Sequence, residues 1–269
     1  MTASEISARL QEVWCDQSYF PPVPNRVALR TLRLNHSDPD PEPLLRAMKV
    51  DPLLALHAWR CATATYTVGE TPLSLDGIVR CLGPFGAAEV VSGLSSRLRS
   101  LEVPVYNKAM KATITHTVRL ARHSRAIAEQ TTLDPNQAYL AGLLSDVGVL
   151  ACLGVMADDP EPPDLRHAWN DIMDLHADTT RFVLQCLNLP EAFAWALADH
   201  HGYEGEGAST ELGACVILAE QLCAETGATA LPFPQRRSLY LPPTAQVDLA
   251  RERLGVDATA WAGLLRSQG

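Results

Sequence analysis

The 269-residue sequence has no sustained apolar–polar alternation of the kind a half-buried strand shows. It also has no Cys-x-x-Cys pair. The first absence excludes a sheet-based architecture and points to an all-α fold. The second, with an odd total of seven cysteines (15, 61, 81, 152, 186, 215 and 223), points to reduced core residues rather than a disulfide framework. The opening MTASEISARLQEVW is amphipathic and lacks the apolar stretch of a signal peptide, and no later stretch reads as the ~18 apolar residues of a membrane span. The expectation is a cytoplasmic protein with no membrane contact. Basic clusters are scarce too: a net charge of -9, and short pairs such as Arg236-Arg237 without interleaved aromatics, exclude nucleic acid as an expected partner. Internal repeats and low-complexity tracts are absent.

What is present is helical periodicity, with apolar positions recurring at steps of three and four. Hydrophobic residues at 47% and charged residues at 20% suit a chain that buries a large core. A proline cluster in YFPPVPNRVALRTLRL opens a helix with Val27, Leu29, Leu32 and Leu34 on its apolar side. HSDPDPEPLLRAM starts another, and Asp51-Pro52 caps a third. TPLSLDGIVRCLGPFGAAEVVSGLSSRL gives two more, broken at Gly83-Pro84. Near Val103-Pro104 longer helices take over, predicted at Lys111 to Gln130, Asn136 to Leu150 and Asp164 to Leu187, the last with an irregularity near His176. PEAFAWALADHH and STELGACVILAEQLCAETG follow. LPFPQRRSLYLPP reads as connector, and two short amphipathic helices separated at Gly255 close the chain. The expected organisation is a short-helix half (1–103), a longer-helix half (104–230) and a C-terminal connector with short helices (231–269).

Polar residues stand out on the longest helices. His116, Leu120, His123 and Ile127 share one face, and Ser145-Asp146 interrupts the apolar run AGLLSDVGVL. A buried carboxylate must be paired, metal-bound or protonated. With His176 and the pair His200-His201, these residues make an imidazole and carboxylate set of the kind a divalent metal takes from a helical bundle. The plainer alternative is that each histidine is a hydrogen-bonded helix residue. The sequence alone leaves both open.

In order along the chain, PPVPNRVALRTLRL, the Asp51-Pro52-Leu53 helix start, SLDGIVRCLG, ITHTVRLARHSRAIAEQ, AYLAGLLSDVGVL, DLHADTTRFVLQCLNLP and FAWALADHH resemble the HDOD family. That family is a signalling-associated branch of the HD superfamily of metal-dependent phosphohydrolases. The resemblance implies an HD-like multi-helix bundle preceded by a stack of short helices, and a metal set of His116, Asp146, His176, His200 and His201. In active HD hydrolases a His-Asp doublet supplies adjacent ligands, and here the histidine position is Ser145, whose hydroxyl is a poor ligand. The expectation is therefore a relic site without catalytic residues, holding either a metal-free polar network or one weakly bound divalent ion (Mn, Fe, Mg or Zn). Asp146 would be satisfied by Ser145, by a protonated histidine or by a helix N-terminus.

Other candidate chemistry is thin. GYEGEGAS lacks a P-loop's lysine and preceding strand, and Ser124 beside His123 points about 100° away from it. Cys15 reads as the most exposed cysteine, and its neighbour Asp16 does not favour thiolate chemistry. The expected function is a non-enzymatic bacterial signalling module that binds a protein partner in trans or a small ligand, through the groove between the halves or the tail from 231 to 269. The alternatives are a phosphohydrolase acting on a phosphoester or cyclic dinucleotide, and a structural adaptor.

Overall fold

A computed structural model of the chain describes residues 1–16, 19–23, 41–65, 73–95, 99, 101–198, 200–201, 207–227 and 242–268. The expected helix around Val27 to Leu34, the GYEGE part (202–206) of the glycine-rich turn and the connector at 231–241 lie outside the described residues. Capping chemistry sets several helix starts. Helix α1 (Ala3–Trp14) opens on a capping box between Thr2 and Glu5. Helix α2 (Glu42–Met48) begins after Pro41, and α3 (Pro52–Thr65) is capped as expected, with Asp51 Oδ1 accepting from the backbone N–H of Leu53 and Leu54. Helix α4 (Leu75–Ser95) is kinked where the sequence predicts, at Gly83 (φ 60°) before Pro84.

The longer helices follow. Helix α5 (Pro104–Ala128) begins seven residues before the predicted Lys111, because Pro104 is compatible with the first helical turn. The apolar segment expected as one helix from Asn136 to Leu150 is two, α6 (Pro135–Leu144) and α7 (Val147–Ala157), separated by a turn at Ser145-Asp146. Helix α8 (Leu165–Cys186) runs through His176 in one piece, so no irregularity occurs there; Asp164 caps it. After α9 (Glu191–Ala198) come a 3₁₀ turn (Gly207–Ser209), α10 (Glu211–Glu225), α11 (Thr244–Leu254) and α12 (Ala258–Gln268). Among the described residues the only strand-like feature is one bridge, in which Val23 N–H donates to the Arg99 carbonyl and Leu101 N–H to that of Val23.

One apolar cluster draws on both sides of residue 103, from Ile6, Trp59 and Ile78 to Leu150, Trp169 and Leu184. A second joins α10 to the tail, with Val247, Trp261 and Leu264 packed among Ile217, Leu218, Leu222 and Ile127. The tail helices thus cover α10 instead of standing clear of the body. The cysteine expectation is corrected in part: Cys152, Cys215 and Cys223 are buried, whereas Cys61, Cys81 and Cys186 are half-buried and Cys15 is exposed. The expectation about long apolar runs is corrected as well. Pro135–Ala157 is long and apolar enough to cross a membrane, at a mean hydropathy of 2.0, but its apolar window is 94% buried against the chain's other helices. It is the central core element.

Candidate metal centre

The break between α6 and α7 shapes the site. Ser145 continues the helical backbone and Asp146 leaves it (φ -102°, ψ 22°), so the Asp146 carboxylate projects from the junction instead of from a helix face. Gly148 makes the junction possible: a Cβ there would overlap the His176 carbonyl oxygen and lie 2.6 Å from Thr180 N. The backbones of α7 and α8 therefore touch. Gly148 N–H donates to Thr180 Oγ1, and that hydroxyl donates to the Ser145 carbonyl, 3.0 Å in each case. The Ser145 hydroxyl itself donates to the Gly142 carbonyl, so it satisfies the backbone and not Asp146.

Asp146 is met instead by two imidazoles from distant elements. His200 Nε2 lies 3.2 Å from its Oδ1, and His116 Nε2, on α5, lies 3.5 Å from its Oδ2. His116 Nε2 also lies 3.3 Å from Oε1 of Glu220 on α10. His176 and His201 complete the group, their ring centroids 5.1 Å apart and 5.4 Å and 4.0 Å, respectively, from that of His200. All six side chains belong to residues no more than 4% exposed.

Two overlapping donor groups result: Asp146, His176, His200 and His201, and His116, Asp146 and Glu220. Within each, one ligand atom per residue lies within 4.8 Å of all the others. The sequence-predicted residues thus converge, and Asp146 is common to both groups. Glu220 is the member that sequence reasoning missed. Its signal was the one that singled out Asp146, a lone carboxylate inside an apolar run (GACVILAEQLCA).

The donor set fits a divalent cation. His176 Nδ1 donates to the Met173 carbonyl at 2.6 Å and His200 Nδ1 to that of Leu197 at 2.7 Å, which leaves each Nε2 turned inward, as outer-shell bonds do for metal-ligating histidines. His176 Nε2 and Glu220 Oε2 are buried without a hydrogen-bond partner. Such orphaned acceptors are costly in a protein interior and are satisfied by a cation.

Electrostatics define the ion-free state. Burial pulls the His116 imidazole down, but Glu220 and Asp146 more than offset it and raise its pKa to about 9. His200 is likewise raised, Asp146 outweighing burial. Burial pushes the Asp146 carboxyl up, yet the His200 hydrogen bond and the surrounding imidazoles hold it well below the carboxylate range. His176 falls to about 4 and His201 also falls, through burial and then the His200 charge. Without metal, the cluster thus favours the charged forms of His116 and His200 beside Asp146 and disfavours those of His176 and His201.

The comparisons with known proteins agree with this fold. The HDOD domain matches residues 20–203, and the chain belongs to the HDOD domain family. It is similar in structure to the MmoQ response regulator of Methylococcus capsulatus str. Bath, at 22% identity and a TM-score of 0.65 over 91% of this chain and 97% of that one. A structure of a fragment of MmoQ, residues 20–298, is similar at 20% identity and a TM-score of 0.58, covering 85% of this chain and 94% of that one. No curated protein matches.

Proposed function

We propose that the chain is a non-enzymatic regulatory module of HDOD type, which passes on a signal by binding a protein partner in trans or a small ligand. Its His/Asp/Glu cluster is then a closed centre that fixes the packing of α5, α7, α8 and α10 around either one divalent cation or a protonated histidine network. The burial of the cluster carries this reading. A catalytic metal keeps a coordination position open to substrate, whereas a structural metal is enclosed by protein ligands. Here all six donor residues are at most 4% exposed, and Ser145 is committed to the Gly142 carbonyl. Family membership, and the structural likeness to the MmoQ response regulator, support the signalling part.

The sharing of Asp146 by two donor groups favours the competing reading, a phosphohydrolase with a carboxylate bridging two ions. Assays on generic phosphodiesters and cyclic dinucleotides with added manganese, magnesium or iron separate the two. The regulatory reading expects background rates; metal-dependent turnover abolished by Asp146→Ala overturns it.

A further inference from the structure

Outside the buried cluster, two thiols meet across the join between α1 and the C-terminal end of α8. Cys15 caps the C-terminus of α1 and is exposed; Cys186 is the last residue of α8 and is half-buried. Their Sγ atoms lie 3.4 Å apart, although 171 positions separate them in sequence. That is van der Waals contact between sulfurs, against the ~2.05 Å of a disulfide, so closing the bond takes roughly 1.4 Å of approach. Both residues sit at helix ends, where the backbone yields most readily. Trp14 and Leu187, the adjacent residues, line an open depression of about 260 Å³ with Tyr19, Phe20, His57 and Arg60. A bond between the thiols joins two walls of that depression.

We propose that Cys15 and Cys186 are a hydroperoxide-sensitive dithiol site that closes into an intramolecular disulfide and tethers α1 to the C-terminal end of α8. Cys15 is the attacking thiol, because it is the one that faces solvent. Its thiolate attacks one oxygen of the hydroperoxide; an S–O bond forms, the O–O bond breaks, and the other oxygen leaves as water or an alcohol with the proton lost from Cys15. The Cys186 sulfur then attacks Sγ of the Cys15 sulfenic acid. The S–S bond forms, the S–O bond breaks, and the hydroxyl leaves as water with the Cys186 proton. Two thiols are oxidised by two electrons and one hydroperoxide is reduced. Burial, with Cys15 beside it, pushes the Cys186 thiol up to about 12, so Cys186 does not make the first attack on the hydroperoxide. The sequence argues against thiolate chemistry at Cys15 because of its neighbour Asp16; contact with a second thiol supplies the proximity that the sequence does not show.

The test uses the full chain, treated with hydrogen peroxide near stoichiometry, alkylated, and mapped without reduction. The expected result is a monomer that has lost two of its seven thiols. A peptide pair joins Cys15 to Cys186, reduction restores both thiols, and amide exchange in α1 slows on the order of tenfold. In Cys186→Ser, Cys15 should proceed to sulfinic acid. Cys15 appearing as sulfinic acid or as an intermolecular dimer in the unsubstituted chain, with Cys186 still alkylatable, overturns the proposal. An unchanged α1 exchange in the cross-linked form overturns the tether.

Discussion

His116 and Glu220 are 104 positions apart in sequence, yet the imidazole Nε2 of one lies 3.3 Å from Oε1 of the other inside the bundle. The pair ties α5 to α10 and shares His116 with Asp146, so two helices and one inter-helix turn depend on the same small set of charges.

Glu220→Gln should therefore destabilise the fold even though it preserves size. It leaves a buried imidazolium with one carboxylate instead of two. Removing one member of a buried pair costs about 3–5 kcal/mol. Urea unfolding of the two proteins near neutral pH checks this; a loss below about 1 kcal/mol would show that His116 does not rely on Glu220.

Gly148→Ala should separate α7 from α8. The added methyl meets the backbone of His176 and Thr180, which cannot rotate away as a side chain can. Overpacking of this kind costs about 1–3 kcal/mol. The control is Gly263→Ala in α12, where a Cβ meets nothing within 4 Å. There, removing a helix-interior glycine should stabilise by about 0.5–1 kcal/mol. Thermal unfolding should move the two variants in opposite directions.

His123 predicts an acid weakness apart from the cluster. Burial, and then the nearby Arg119, lowers its pKa from 6.5 to about 4. Between those values the unfolded chain binds a proton that the folded chain does not. Its contribution to stability therefore falls as pH drops from about 6.5 to about 4, and levels off below. At about 1.4 kcal/mol per pKa unit, the loss between about pH 7 and about pH 5 is roughly 2 kcal/mol. His123→Leu should make the pH dependence of unfolding shallower by that amount; an unchanged slope would mean that His123 is protonated in the fold.

Ser145→His places an imidazole in the family's position beside Asp146. The wild-type hydroxyl donates to Gly142, and the residue is fully buried, so the ring displaces neighbours at about 1–3 kcal/mol. If the geometry still suits the metal set, affinity for manganese, iron or zinc rises in the folded variant. No gain would mean that position 145 faces the backbone too firmly to serve as a ligand.

The helical architecture was legible because apolar spacing of three and four is a local property, and so were the cap at Asp51 and the kink at Gly83. The five residues proposed as metal ligands belong to ordered motifs, and the structure brings them together. The split at Ser145-Asp146 was not legible, since neither glycine nor proline marks it; contact between α7 and α8 at Gly148 accompanies it. Glu220 escaped because no motif contains it. Its role exists only where α10 meets α5. The Cys15–Cys186 contact has the same character, with one thiol at each end of a long loop in the chain.

The central claim is that the cluster is a closed centre in which one divalent cation displaces protons held by its histidines. Calorimetric titration of chelator-treated protein with manganese or zinc, run in buffers of different ionisation enthalpy, reports stoichiometry and proton release together. The account predicts one ion bound per chain, protons released on binding, and tighter binding at about pH 8 than at about pH 6. Binding without proton release, or binding unaffected by Asp146→Ala, would contradict it.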